Sequence, residues 1–177
     1  MPSPGQPRTR AIAALVALSL IWGYNWIVSK AVLDYVSPYD FAAARTLLAA
    51  LSLFLVILWR GGSLRPVFPA GLFALGLMQT TAFIALTLLA LETGGAGTTA
   101  MLVYLMPFWV LLVANATGSE RLHGMQRLAV PLALAGLLLL MQPWVAHGTL
   151  LSKGFAVAAS LAWAGGTLYA KRLRAAQ

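Results

Sequence analysis

The chain contains no cysteine and only four acidic residues among its 177. Without thiols, disulfide staples and thiolate metal sites are excluded. Charge of either sign is scarce: Asp, Glu, Lys and Arg make up 9% of the chain, where a soluble domain carries about 25%. So few charges could not cover a water-facing surface. The apolar segments also lack paired carboxylates, metal-spaced histidines and any nucleophile beside a base. Enzyme chemistry inside a membrane therefore has no candidate machinery, and no cofactor or metal is expected. His123 and His147 stand alone in loops. No acid lies deep inside an apolar segment, so no residue is an obvious proton carrier.

What is present in abundance is apolar sequence, 60% of the chain. It comes in runs near twenty residues, the length that crosses a hydrocarbon core of about 30 Å. The runs predict an all-α polytopic membrane protein with six transmembrane helices, at roughly 11–32, 38–59, 69–91, 97–116, 128–144 and 150–170. Each gap carries turn or charge signals, among them Ser37-Pro38, Gly61-Gly62-Ser63, Gly94-Gly95, Gly118-Ser119-Glu120 and His147-Gly148. Connections this short make neighbouring helices antiparallel. The first run follows Arg8 and Arg10 like a signal peptide, but it is long, holds Trp22, Asn25 and Trp26, and lacks a small-x-small cleavage site. It reads as a retained helix. Thr93-Gly94-Gly95-Ala96-Gly97 follows no strand and precedes no Gly-Lys-Ser/Thr, so a tight external turn explains it better than a phosphate loop.

A net charge of +8 invites a nucleic-acid partner, but its distribution argues against one. With the amino terminus cytoplasmic, nine basic residues (Arg8, Arg10, Arg60, Arg65, Arg121, Arg127, Lys171, Arg172 and Arg174) fall on the cytoplasmic side. Only Lys30 and Lys153 fall outside, and Arg45 lies within a span. This bias predicts both termini in the cytoplasm of a bacterial-type inner membrane.

One pattern occurs twice, 141 residues apart. Ala17, Ser19, Leu20, Trp22 and Lys30 recur as Ala158, Ser160, Leu161, Trp163 and Lys171. If all six runs cross the bilayer, five crossings separate the two copies, which then run in opposite directions. That is the sequence signature of an inverted-topology repeat, a common plan for secondary transporters.

Further motifs sharpen this. Trp22-Gly23-Tyr24-Asn25 precedes Lys30; Ser37-Pro38 opens the span that carries Arg45; Leu102-Val103-Tyr104-Leu105-Met106-Pro107 is followed by Gly118-Ser119-Glu120-Arg121-Leu122. In order and spacing these resemble the drug/metabolite transporter superfamily, in particular its EamA-type members. Tyr24 departs from the small residue usual there. The resemblance implies a five-helix repeat that occurs twice, inverted, in a ten-helix transporter. Residues 1–10 would be a cytoplasmic tail, 11–144 the first repeat, and 150–177 the first helix of a truncated second repeat with a cytoplasmic tail. The function implied is export or permeation of a small metabolite, amino acid or drug-like solute by alternating access. The polypeptide would be incomplete, its partners being the lipid bilayer, the solute, and either self-association or a missing second repeat. The alternative is a non-transporting fragment or an accessory membrane subunit.

Candidate substrate-path residues follow from helix faces. Spacings of three, four and seven share a face, which groups Ser19, Trp22, Asn25, Trp26 and Ser29 on the first span, Gln79, Phe83 and Thr87 on the third, and Ser160, Trp163 and Thr167 on the last. Hydrogen-bonding groups beside aromatic rings suit a small polar or amphipathic solute, although Ser, Thr and Asn also bond across helices as packing glue. Arg45 sits roughly 10–12 Å deep at 1.5 Å per residue. It either binds an anionic group of the solute or pairs with Asp34, Asp40 or Glu92. Lys30 reads as an interfacial anchor. Pro107 brings no amide hydrogen to the carbonyl of Val103, so the fourth helix should bend, beside a cavity that Tyr104 also faces. The candidate substrate path is Trp22, Asn25, Trp26, Arg45, Gln79, Phe83, Tyr104, Pro107, Trp163 and Thr167.

Overall fold

The computed structural model describes residues 6–65, 69–117, 124–141 and 148–175. Among them every regular element is helical. In chain order these are α1 (Gln6–Val32), α2 (Pro38–Trp59), α3 (Pro69–Gly76), a π-helical segment (Leu77–Ala82), α4 (Phe83–Thr93), α5 (Ala96–Val103), α6 (Met106–Ala116), α7 (Gln126–Met141) and α8 (Leu150–Ala175). His123, His147, the Gly118–Leu122 motif and the end of the expected fifth span lie outside the described residues.

The chain is a polytopic all-helical membrane protein. Four stretches are long and apolar enough to cross a bilayer: Thr9–Val32, Pro38–Trp59, Ala70–Thr93 and Ala96–Ala116. Arg127–Leu139 is a shorter apolar stretch. The sixth expected span, α8, has the length but not the hydropathy, because alanine, glycine and serine replace larger apolar residues along it. That composition suits its position: Ala156, Ala159 and Ser160 are fully buried. α8 lies at the centre of the bundle, against α3, the π segment, α4, α5 and α6. Small side chains let helix backbones approach closely, which is how helices associate in lipid. α1 and α2, by contrast, present long apolar faces outward.

Local chemistry places the helix ends. Ser37 caps α2 by accepting the Asp40 amide at 3.2 Å, and its hydroxyl donates to the Asp40 carboxylate at 2.7 Å. Pro38 follows at the first turn, where its missing N–H costs nothing. At the other end Gly61 adopts φ +69°, while the amide of Gly62 bonds back to the carbonyl of Ile57 and that of Gly61 to Leu58, both at 2.9 Å. Only glycine takes that left-handed conformation without a Cβ penalty. The third span runs from α3 through the π segment into α4, and the amide of Phe83 reaches the carbonyl of Met78 five residues earlier. The fourth span breaks as Pro107 requires, into α5 and α6, with three-residue bonds from Leu105 to Leu102 and from Phe108 to Leu105 across the joint.

Contacts fix helix directions. Lys30 at the end of α1 donates to the carbonyls of Leu91 (2.6 Å) and Glu92 (2.9 Å) at the end of α4, so α1 and α4 run in parallel. α8 runs the other way: Ser152 lies beside Gly94, and Leu173 beside Gly71. α1 and α8, which carry the repeated pattern, are therefore antiparallel. The last carbonyls of a helix have no partner within it, and a cation there also meets the negative end of the helix dipole. Lys30 thus ties two helices together besides sitting at an interface. Replacing it in Lys30→Met should destabilise the bundle by about 1.5–3 kcal/mol, the range for hydrogen bonds to a charged group. Thermal unfolding of purified protein in one detergent checks this, with Lys153→Met as the neutral comparison.

Candidate functional site

A cavity of about 240 Å³ lies between α1, α2 and α4, in the half of the bundle nearer Lys30. Two helical faces form its walls. On α1 the face is Trp22, Asn25, Trp26 and Ser29; on α4 it is Ile84, Thr87, Leu88 and Leu91. Both follow the same three-and-four spacing. α2 contributes Arg45, half-buried. Its guanidinium carbon lies 5.5 Å from the centre of the Phe41 ring one turn earlier, within the range of a cation–π contact.

Among the cavity's polar side chains, Trp26 is bonded to Tyr104, whereas Arg45 and Thr87 stand apart. Arg45 forms no ion pair with Asp34, Asp40 or Glu92 among the described residues, so the expected alternative of a structural pair is not what the fold adopts. Those acids sit at the helix ends, beyond the cavity. Thr87 is buried, and its Oγ1 has no hydrogen-bond partner among the described residues. A hydroxyl buried in that way costs about 1–3 kcal/mol.

A second hollow, about 520 Å³, is a groove between α6 and α8 in the half nearer Lys171. Met106, Pro107, Val110 and Leu111 line one wall; Trp163, Thr167 and Lys171 line the other. A layer of side chains separates the two spaces. Phe83, a cavity residue, packs on Trp163, a groove residue, with ring centres 4.7 Å apart and planes inclined at 58°. Beside them Gln79 Nε2 donates to Thr167 Oγ1 at 2.9 Å, and Thr167 Oγ1 donates to the carbonyl of Trp163 at 3.0 Å. Gly166 lets the backbones meet, since a Cβ there would stand 2.3 Å from Gln79 Cγ.

A family model for EamA-like transporters matches residues 9–142. The chain belongs to the EamA-like transporter family. It is 30% identical to the uncharacterized transporter YvbV of Bacillus subtilis (strain 168), over 94% of this chain and 55% of that one. It is 29% identical to a protein of Escherichia coli (strain K12) named "Probable amino-acid metabolite efflux pump", over 94% and 54%. Against the uncharacterized inner membrane transporter YedA of the same strain it is 26% identical, over 90% and 53%. The chain thus spans about half the length of the curated relatives it matches. The first two alignments leave too few residues uncovered to omit the 26 residues of α8, although the family match ends before it. No solved structure matches the chain.

Within this EamA-like bundle the ten expected path residues fall into three groups. Trp22, Asn25, Trp26, Arg45 and Phe83 line the cavity; Pro107, Trp163 and Thr167 line the groove. Gln79 and Tyr104 line neither. Gln79 belongs to the layer between the two spaces. Tyr104 instead accepts a hydrogen bond from Trp26 Nε1 at 3.3 Å, its ring edge-on to the indole at 6.0 Å. The π turn explains why Gln79 leaves the Phe83–Thr87 face: a wider turn changes the angle between residues four apart. Thr87 and Ser29 belong to the cavity and were legible as members of those helix faces. The apolar wall of Ile84, Leu88 and Leu91, and the place of Lys171 in the groove, had no distinguishing sequence signal.

Ser160 shows the packing alternative realised. It is fully buried, accepts Trp109 Nε1 at 2.8 Å and donates to the carbonyl of Val157 at 2.7 Å. The two hydroxyls should therefore respond oppositely to removal. Ser160→Ala strands the indole N–H and should cost about 1–3 kcal/mol, whereas Thr87→Val deletes a hydroxyl without a partner and should be neutral or stabilising. Melting curves of the two variants, in the same detergent as the parent, measure the difference.

Proposed function

We propose that this bundle carries the solute site of a small-molecule transporter working by alternating access, and that the solute binds in the cavity between α1, α2 and α4. One observation carries this reading: Arg45, well inside a membrane helix, faces that cavity without an acid to neutralise it. A charge in such a place is expensive unless something pairs with it, and a solute's anionic group would do so. Asn25 offers an amide to the same solute, while Trp22 and Trp26 offer apolar faces with little entropy to lose. The cavity, at about 240 Å³, is below the roughly 300–1,000 Å³ of pockets for drug-sized ligands. That favours a metabolite-sized solute over a larger drug. A relative named as an amino-acid metabolite efflux pump supports the same size class.

The antiparallel α1 and α8, with their matched Ser, Leu, Trp and Lys positions, support an inverted repeat in which α8 opens the second copy. In such transporters one repeat rocks against the other around a midplane site. Full alternating access on this plan uses the other helices of a second repeat besides α8. The natural setting on this reading is a bacterial inner membrane.

Trp22 and Trp26 supply a built-in signal for binding. Titration of small carboxylates, their methyl esters and neutral analogues should change tryptophan emission for the acids. Arg45→Ala should weaken that binding at least tenfold and Arg45→Lys less so, while Arg60→Ala, at the end of α2, leaves it unchanged. Equal affinity in Arg45→Ala and parent would remove the proposed site.

The charge asymmetry supports both termini in the cytoplasm. A reporter that is active only outside the cytoplasm, fused at Gln177, should stay dark, while the same reporter fused after Gly94 should light up. Activity at Gln177 would mean an odd number of crossings and would undo the inverted-repeat argument.

A further inference from the structure

We propose that the layer formed by Phe83, Trp163, Gln79 and Thr167 is a gate, shut in this structure, between the Lys30-side cavity and the Lys171-side groove. The proposal rests on the transport reading above and deepens it by naming where the path is closed. Three independent features meet at this layer.

The first is continuity. Phe83 is a wall of the cavity and Trp163 a wall of the groove, and the two rings touch. The cavity and the groove therefore meet at the same pair of rings, one carried by α4 and the other by α8. The second is the tightness of the seal. A single methyl group added at Gly166 would stand 2.3 Å from Gln79 Cγ, and one at Gly165 would stand 2.8 Å from Met78 Cε. Neither distance is a real contact distance, so at this level the α8 backbone lies directly against the side chains of the π segment. The third is the means of opening. Gln79 sits on the π-helical turn, and such turns mark functional positions in helices. The groove wall opposite Trp163 is α6, which the break at Pro107 separates from α5.

The polar closure carries no charge: beside the ring contact, Gln79 Nε2 donates to Thr167 Oγ1 at 2.9 Å and, at 3.5 Å, to the carbonyl of Trp163. A ligand shifts such an equilibrium by its difference in affinity for the two states. Phe83 belongs both to the cavity wall and to the gate, so a solute in the cavity touches the gate directly. Arg45 and the gate thus lie in one connected space, the first holding the solute and the second deciding whether it can pass.

The chain has no cysteine, so single thiols introduced by substitution report accessibility without background. The probes are Asn25→Cys in the cavity and Val110→Cys in the groove, in the full chain in oriented membrane vesicles. A membrane-impermeant maleimide added on the Lys30 side should label Asn25→Cys and leave Val110→Cys unlabelled. From the Lys171 side the pattern should reverse. Adding Phe83→Ala and Trp163→Ala should raise labelling of Val110→Cys from the Lys30 side at least tenfold. Gly166→Val, which wedges α8 away from Gln79 and leaves both rings in the sequence, should do the same and serves if the double alanine variant does not fold. Labelling of Val110→Cys from both sides in the otherwise native chain would overturn the proposal. So would silence from the Lys30 side in whichever opened variant remains monodisperse. Labelling needs no solute, so a gate confirmed here alongside unchanged binding in Arg45→Ala would sink the binding site and leave the barrier standing.

Discussion

The close approach of α8 to the third span is the constraint on which the rest of this bundle depends. In lipid there is no hydrophobic effect to drive helices together, so packing and hydrogen bonds must do it. Gly165 and Gly166 allow the π segment to come within contact of the α8 backbone. Ala156, Ala159 and Ser160 continue the same small-residue surface. Once α8 is seated, Trp163 meets Phe83, Gln79 reaches Thr167, and Trp109 reaches Ser160. A helix whose hydropathy is too low to mark it as a span is thus the one around which the others are arranged.

Charge is handled by a different rule. The described basic residues lie almost entirely at helix ends, where water or lipid headgroups can solvate them. Lys30 goes further and satisfies two carbonyls at the end of α4, which fixes α1 beside α4 and so sets the width of the cavity. Arg45 is the exception. Its place in α2, over Phe41, puts it on the wall of the cavity that Asn25 also lines. Burial without a protein partner is tolerated at sites whose partner arrives with the ligand, and that is the logic of the solute site proposed here.

The two hollows and the layer between them form a series along the bundle: cavity, aromatic pair, groove. The deviations from regular helix lie on the walls of the layer and the groove. The π turn carries Gln79, and the break before Pro107 frees α6 to form a groove wall. Regular helices could span the bilayer equally well.

Much of this was legible in the residues before any fold was known. Scarce charge and long apolar runs imply a polytopic helical protein, because only helices satisfy their own backbone in lipid. Spacing by three and four put Trp22, Asn25, Trp26 and Ser29 on one face, and they do share a cavity wall. Pro107 breaks its helix for a reason internal to the peptide bond. Partnership was not legible, because it depends on which helices become neighbours. Whether Arg45 pairs with an acid, whether Ser160 is glue and Thr87 a free hydroxyl, and whether Tyr104 faces a cavity or Trp26 are questions about neighbouring helices. Nor does the sequence announce a π turn, which rotates Gln79 away from Phe83 through one extra residue of local geometry. The sequence by itself determined the helices, their faces and their charged ends, since those follow from the solvent and the backbone. Only the tertiary structure decided which polar groups were satisfied and which were left facing a cavity, since that depends on contacts between distant segments.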